Sequence, residues 1–248
     1  MIPAMLQESV TYAEEVAAGV SPYFVLDIET ANLALDGIKF GDPTGWKTSV
    51  ICLTTSPGFE FFEQNEFIFI HTDYWGSLPK EIINDPRTAS TREFDIFMDL
   101  VYELKIPIIT HNGDNFDWPI IENSPDKGGT GYSIDDFKRA NLLFDTAASL
   151  KQLTGGHRFH LQDLLHATLG SDISKTMDAA NAPIAWKEGK FTEVIDYCLA
   201  DCHLTGKMFS AASAEGSISC APSKSSKKQE INTDSWSLWL NSQNVLNR

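Results

Sequence analysis

Apolar and polar positions alternate along this chain in blocks of distinct period, and the blocks predict its elements. Tyr23-Phe24-Val25-Leu26-Asp27-Ile28 is an apolar run of strand length that ends among acids, the pattern of a buried central strand. Residues 49–55 and 60–71 are rich in Val, Ile, Phe and Thr and flank Ser56-Pro57-Gly58, which predicts two antiparallel strands around a turn. In residues 91–104, Phe94, Phe97, Met98, Val101 and Leu104 recur at helical spacing behind Ser90 and Thr91 as N-caps, with Glu93 in the first turn. A short strand at 106–110, a helix from Asn115 onward, a strand at 141–145, a helix at 161–169 ended by Gly170 and a long helix at 192–212 complete the series. The order is that of an α/β fold with a mixed sheet flanked by helices.

The two ends read differently. Residues 4–18 set Glu8, Glu14 and Glu15 among Ala, Leu and Val, which predicts a short acidic helix. After Ala212 the composition turns to Ser, Lys, Gly and Asn, the mark of a linker or flexible tail, before Trp236, Leu238 and Trp239 restore apolar character. That end is expected either to dock back onto the domain or to bind a protein partner. The expected division is an acidic helical segment at 1–20, a main domain at 21–212, and a Ser/Lys-rich linker with an aromatic tail at 213–248.

Composition narrows the class. With 248 residues, 42% of them hydrophobic, the chain supports one sizeable core. Its formal net charge of -15 is the wrong sign for holding nucleic acid by general counterion release, so any such contact must be local or metal-mediated. Cys52, Cys198, Cys202 and Cys220 show no C-x-x-C spacing, and the first residues lack a basic n-region, so a reducing cytoplasm is expected. No apolar run has the length of a membrane helix, and no membrane association is expected.

The chemistry lies in three segments. Asp27 and Glu29 are two apart on the first strand and share one face, although alone the pair reads equally well as solvated acids at a strand end. Ile109-Thr110-His111-Asn112-Gly113-Asp114-Asn115-Phe116-Asp117-Trp118-Pro119 follows a strand and opens a helix. Tyr197 and Asp201 are four apart on the long helix, so a phenol and a carboxylate stack on one face; in isolation they read as ordinary packing and a solvated acid.

Taken together, Phe24-Val25-Leu26-Asp27-Ile28-Glu29-Thr30, the Thr110 to Pro119 segment and Tyr197-x-x-x-Asp201 resemble, in order, the three motifs of the DEDD superfamily of 3′ to 5′ exonucleases, in its tyrosine-containing subclass. The second segment is similar to that of the proofreading domains of family B DNA polymerases. The resemblance spans roughly residues 20–212, and no stretch resembles polymerase active-site motifs. It implies a ribonuclease-H-like fold and a stand-alone nuclease or detached module. It also implies two Mg²⁺ or Mn²⁺ ions held by Asp27, Glu29, Asp117 and Asp201, with Asp27 bridging, and Tyr197 orienting the attacking water. Asn112 and Phe116 match positions that border the terminal sugar and base, and Thr30 a position where the 3′ end is held. The expected substrate is the 3′ end of a single-stranded nucleic acid, DNA favoured. The alternatives are a ribonuclease or short-oligonucleotide exonuclease, and a ribonuclease-H-like module that binds nucleic acid or protein without turnover.

A rival zinc constellation of His157, His160, His166, Cys198, Cys202 and His203 fits no common zinc spacing, and small apolar packing is the expected role of the two cysteines. Trp118 is expected to be buried, Asp145 and Asp163 to be caps or surface acids, and Lys175 to be a solvated lysine or a phosphate contact.

Overall fold

The computed structural model describes residues 22–32, 38, 42–57, 59, 64–123, 132–170, 172, 173, 175–223, 225 and 227–246. The expected helix at 4–18 lies outside them. Six strands, β1 (Phe24–Thr30), β2 (Thr48–Thr55), β3 (Glu66–Ile70), β4 (Thr88–Ser90), β5 (Ile108–Thr110) and β6 (Leu143–Asp145), form one sheet in the order β4-β3-β2-β1-β5-β6. β2 is antiparallel to both β1 and β3, while β3/β4, β1/β5 and β5/β6 are parallel, so only β2 runs against the rest. This mixed sheet with flanking helices fits a ribonuclease-H-like fold, with β4 added at one edge.

The alternation of β1 sorts its side chains between two cores. Phe24, Leu26 and Ile28 point into one, where the Phe24 ring meets Phe59, Phe67 and Phe97 edge-on. This face is covered by α2 (Thr91–Glu103), which follows the short α1 (Lys80–Ile83). At the start of α2 the Glu93 carboxylate accepts the Ser90 N–H at 3.0 Å, the capping box expected from the sequence. Val25 points to the opposite core with Val50, Cys52 and Ile68. Over that side lies the long helix α8 (Phe191–Glu215), and Gly206 lets it come close, since a Cβ there would stand 3.1 Å from Val25 Cγ2. Between β5 and α8 run α3 (Asp117–Glu122), α4 (Ile134–Arg139), β6, α5 (Thr146–Leu153), α6 (Leu161–Leu169) and α7 (Ala182–Lys187).

At the C-terminal end ordered elements replace the expected linker, and the aromatic segment docks back onto the domain, one of its two expected fates. Helix α8 continues to Glu215 and stops at Gly216, whose φ of 70° is the left-handed conformation that favours glycine. Ser217–Cys220 and Gln229–Asn232 then pair antiparallel as β7 and β8, and α9 (Asp234–Leu246) follows. Ile218, Cys220, Ile231 and Trp236 are all buried. The Trp236 ring stacks on Phe209 at 5.5 Å and its Nε1 donates to Ser149 Oγ at 2.9 Å. A few apolar residues placed at strand and helix spacing complete the core here, which average composition concealed. The described residues contain no helix long and apolar enough to cross a membrane.

Candidate active site

Three elements bring the predicted acids to one place. Period-two alternation turns Asp27 and Glu29 toward α8, on the side opposite Phe24 and Leu26. The four-residue spacing on α8 sets Tyr197 and Asp201 on one helix face, while Cys198 and Cys202 seat the helix on the sheet. The Cys198 thiol donates to Asp27 O at 3.4 Å and Cys202 to Cys52 O at 3.4 Å, so both cysteines pack as expected. Asp117 is the first residue of α3 and is buried.

The loop between β5 and α3 is held by its own motif. Asn112 has a φ of 70°, and a Cβ on Gly113 would fall 2.3 Å from Thr110 Oγ1, so only glycine fits there. Asp145, at the end of β6, clamps the turn. Its Oδ1 accepts Asn112 N at 2.8 Å, Ala147 N at 2.9 Å and Ala148 N at 3.1 Å, and its Oδ2 accepts Asp114 N at 3.0 Å. It is thus both the N-cap of α5 and the anchor of the second motif, a role that spacing alone did not reveal. Thr146 Oγ1 donates to Thr110 O at 3.0 Å and contacts His111 Nδ1 at 2.9 Å, so the imidazole supplies the proton of that second bond.

A cleft of about 660 Å³ opens over this edge, with Asp27 and Asp201 at its floor and His111, Asn112, Phe116 and Lys175 among its walls. Phe116 also meets Trp46 edge-on at 5.4 Å. Thr30 does not line the cleft; it is buried, and its hydroxyl donates to Asn32 O at 3.0 Å beside the irregularity in the β1–β2 register. Trp118 is buried, as expected. Asp114 is half-exposed, with Lys138 Nζ 3.8 Å from its Oδ1.

The electrostatics of the acids are strained. Burial pushes the carboxyl of Asp27 well above its ordinary range, and the charges of Asp117, Glu29 and Asp201 push it further. Burial does the same to Glu29, with Asp201 adding and Lys175 opposing, and raises Asp117 to about 8. Asp201 is raised by burial and eased by Lys175 and Tyr197, and its Oδ1 is buried without a partner. Burial and the surrounding carboxylates drive the Tyr197 phenol upward, so it stays protonated. Lys175, read from the sequence as solvated or phosphate-binding, contacts Asp201 Oδ2 and donates to the Tyr197 hydroxyl at 3.2 Å. Gln162 of α6 holds it there by accepting Lys175 N at 2.9 Å. A lone lysine in a loop carries no periodic signal that could have announced this.

The donor set suits a hard divalent cation: all oxygen, clustered, repelling one another, with one buried carboxylate oxygen lacking a partner. Among the described residues, no three His, Cys, Asp or Glu side chains meet at metal-ligand geometry.

The sequence matches no protein-family model and no curated protein. Among solved structures, the family B DNA polymerase of the hyperthermophilic archaeon Pyrobaculum calidifontis aligns over 77% of this chain and 24% of its own, with 16% identity and a TM-score of 0.48. E. coli exonuclease I in complex with a dA16 oligonucleotide aligns over 79% of this chain and 41% of its own, with 13% identity and a TM-score of 0.40. The zinc-bound complex of E. coli exonuclease I with single-stranded DNA gives 78%, 40%, 13% and 0.40. The chain thus spans less than half of either protein. These likenesses are distant, and the fold is defined by the strand order and directions of the chain itself.

Proposed function

We propose that this chain is a metal-dependent 3′ to 5′ exonuclease that hydrolyses phosphodiester bonds at single-stranded nucleic-acid 3′ ends and releases nucleoside 5′-monophosphates, with DNA favoured. The observation that carries the reading is the gathering of Asp27, Glu29, Asp117 and Asp201, from three distant segments, into one buried and mutually repelling group, of which Asp27 and Asp201 line an open cleft. Burying uncompensated carboxylates costs stability, so their clustering calls for a cation.

Asp27, Glu29, Asp117 and Asp201 are the residues that would hold Mg²⁺ or Mn²⁺. Two such ions, when bound, supply a more acidic water and neutralise charge on the reacting phosphate. Tyr197, kept protonated by its surroundings, is suited to orient the attacking water by hydrogen bonding and unsuited to act as a base. Lys175 adds a cation able to meet a phosphate oxygen. Phe116 offers a ring face to the terminal base, a contact that tolerates any sequence, and Asn112 borders the sugar. The preference for DNA rests on the likeness of the second motif to polymerase proofreading domains.

The test is incubation of the purified protein with 5′-labelled single-stranded DNA and RNA in Mg²⁺, Mn²⁺ or EDTA, alongside thermal melts in the same ions. Stepwise shortening from the 3′ end, abolished by EDTA, together with a metal-induced rise in Tm that Asp27→Ala removes, is expected. Binding without cleavage in either metal would instead identify a non-catalytic module. Internal cuts would overturn the exonuclease assignment.

A further inference from the structure

Arg158, Phe159 and His160, between α5 and α6, line the candidate active cleft, and the same three residues form one wall of a second groove of about 600 Å³. Its far wall is Pro222 and Ser223, from the loop joining β7 to β8. The two walls are fastened together, since Ser223 N donates to Arg158 O at 2.8 Å and Ser223 Oγ to the same oxygen at 3.0 Å. Among the described residues no acid lines this groove, although the chain carries 34 acids against 19 Lys and Arg. Its lining instead includes His157, Arg158 and His160, all exposed, and the loop that supplies Pro222 and Ser223 also presents exposed Lys227 and Lys228.

Resting on the exonuclease reading, we infer that this groove is the path of the single strand upstream of its 3′ end, and that the C-terminal hairpin is part of the substrate-binding surface. Two observations select a polynucleotide as the occupant. The groove is continuous with the cleft through shared residues, so a strand whose end lies over Asp27 and Asp201 would have its next nucleotides led along Arg158, Phe159 and His160. Among the described residues its lining also pairs Arg158 with two histidines and no carboxylate, in a chain of net charge -15, which suits backbone phosphates better than an acidic surface does. The half-buried Phe159 ring, next to Arg158, adds a surface on which a base can stack. DNA and RNA share this backbone chemistry.

The test uses the full chain with Lys227→Glu/Lys228→Glu and, separately, His157→Glu, none of which lines the catalytic cleft. Cleavage of single-stranded DNA and RNA of about 3 and about 15 nucleotides is compared in matched variants whose thermal melts equal that of the wild type. The variants are expected to lose about 10-fold or more in kcat/KM on the long strands, with a shallower salt dependence, and to leave the short strands unchanged. Equal losses at both lengths, or none at either, would overturn the path. If the wild type cleaves neither length, the exonuclease reading fails by itself. The groove is then judged by equilibrium binding of the labelled strands in EDTA, where loss of the length-dependent gain in affinity supports it and unchanged binding refutes it.

Discussion

Asp145 and Asp201 are equally hidden, at 8% and 4% exposure, yet their surroundings are opposite. Asp145 accepts four backbone N–H groups, which spread its charge over fixed dipoles and tie the second-motif loop to the start of α5. Asp201 has one lysine and a phenol on one side and a buried, unpartnered oxygen on the other, within a group of acids that repel it. Burial alone therefore does not separate a carboxylate whose charge is fully met from one whose charge is not. Backbone donors make Asp145 part of the scaffold, whereas Asp201 Oδ1 meets no donor among the described residues, which is where the proposed cation would act.

Removing either kind of acid should reveal the contrast. Asp27→Ala and Asp201→Ala are each expected to lower turnover by about 10³-fold or more, the scale of lost transition-state electrostatics, while metal-free Asp27→Ala melts no lower than the wild type because repulsion is relieved. A variant with near-normal turnover would break the assignment. Tyr197→Phe keeps the ring and removes the hydroxyl, so a loss of about 10- to 1,000-fold in kcat with little change in KM is expected from single-turnover kinetics. Asp145→Ala should instead act on stability, costing about 1–3 kcal/mol in urea unfolding because a cap and two loop anchors vanish together.

A smaller effect should appear in the pH dependence of the metal-free protein. Burial raises the Asp117 carboxyl from 3.8 to about 8, so the folded state keeps a proton that the unfolded chain has released, and stability falls as pH rises across that window. His111 runs the other way: burial lowers it from 6.5 to about 4, and the stability it contributes is lost as pH falls through that range. Between pH 6.5 and about 8 only the Asp117 contribution of the two changes, and there Asp117→Asn should flatten the decline in Tm. The smallest effect is expected for Asp114→Ala. This acid is half-exposed and faces Lys138, so turnover should change by less than about threefold, well within the range of a surface pair. Equal losses for Asp114→Ala and Asp117→Ala in steady-state assays would mean that the second motif is misplaced.

Much of this was legible along the chain because periodicity is a local signal. The alternation of β1 put Asp27 and Glu29 on one face, and the spacing of Tyr197 and Asp201 fixed theirs before any partner was known. Helix α6 has the limits that its pattern and Gly170 predicted. The expectation of a linker after Ala212 failed for the converse reason. Its polar average hid Ile218, Ile231 and Trp236, whose burial depends on Phe209, Ser149 and α6 being present to receive them.

By itself the sequence determined which residues are candidates for the chemistry, which face of each element holds them, and the mixed α/β order, since these follow from short-range geometry and side-chain character. Only the tertiary structure decided that Asp145 ties the second-motif loop to α5, that Lys175 lies against Asp201 and Tyr197, that Thr30 is buried on Asn32 and does not line the cleft, and that the C-terminal hairpin meets the Arg158 loop. Each of those depends on where elements distant in sequence come to rest, and a hydrogen bond or an electrostatic field is set by distances that local pattern does not encode.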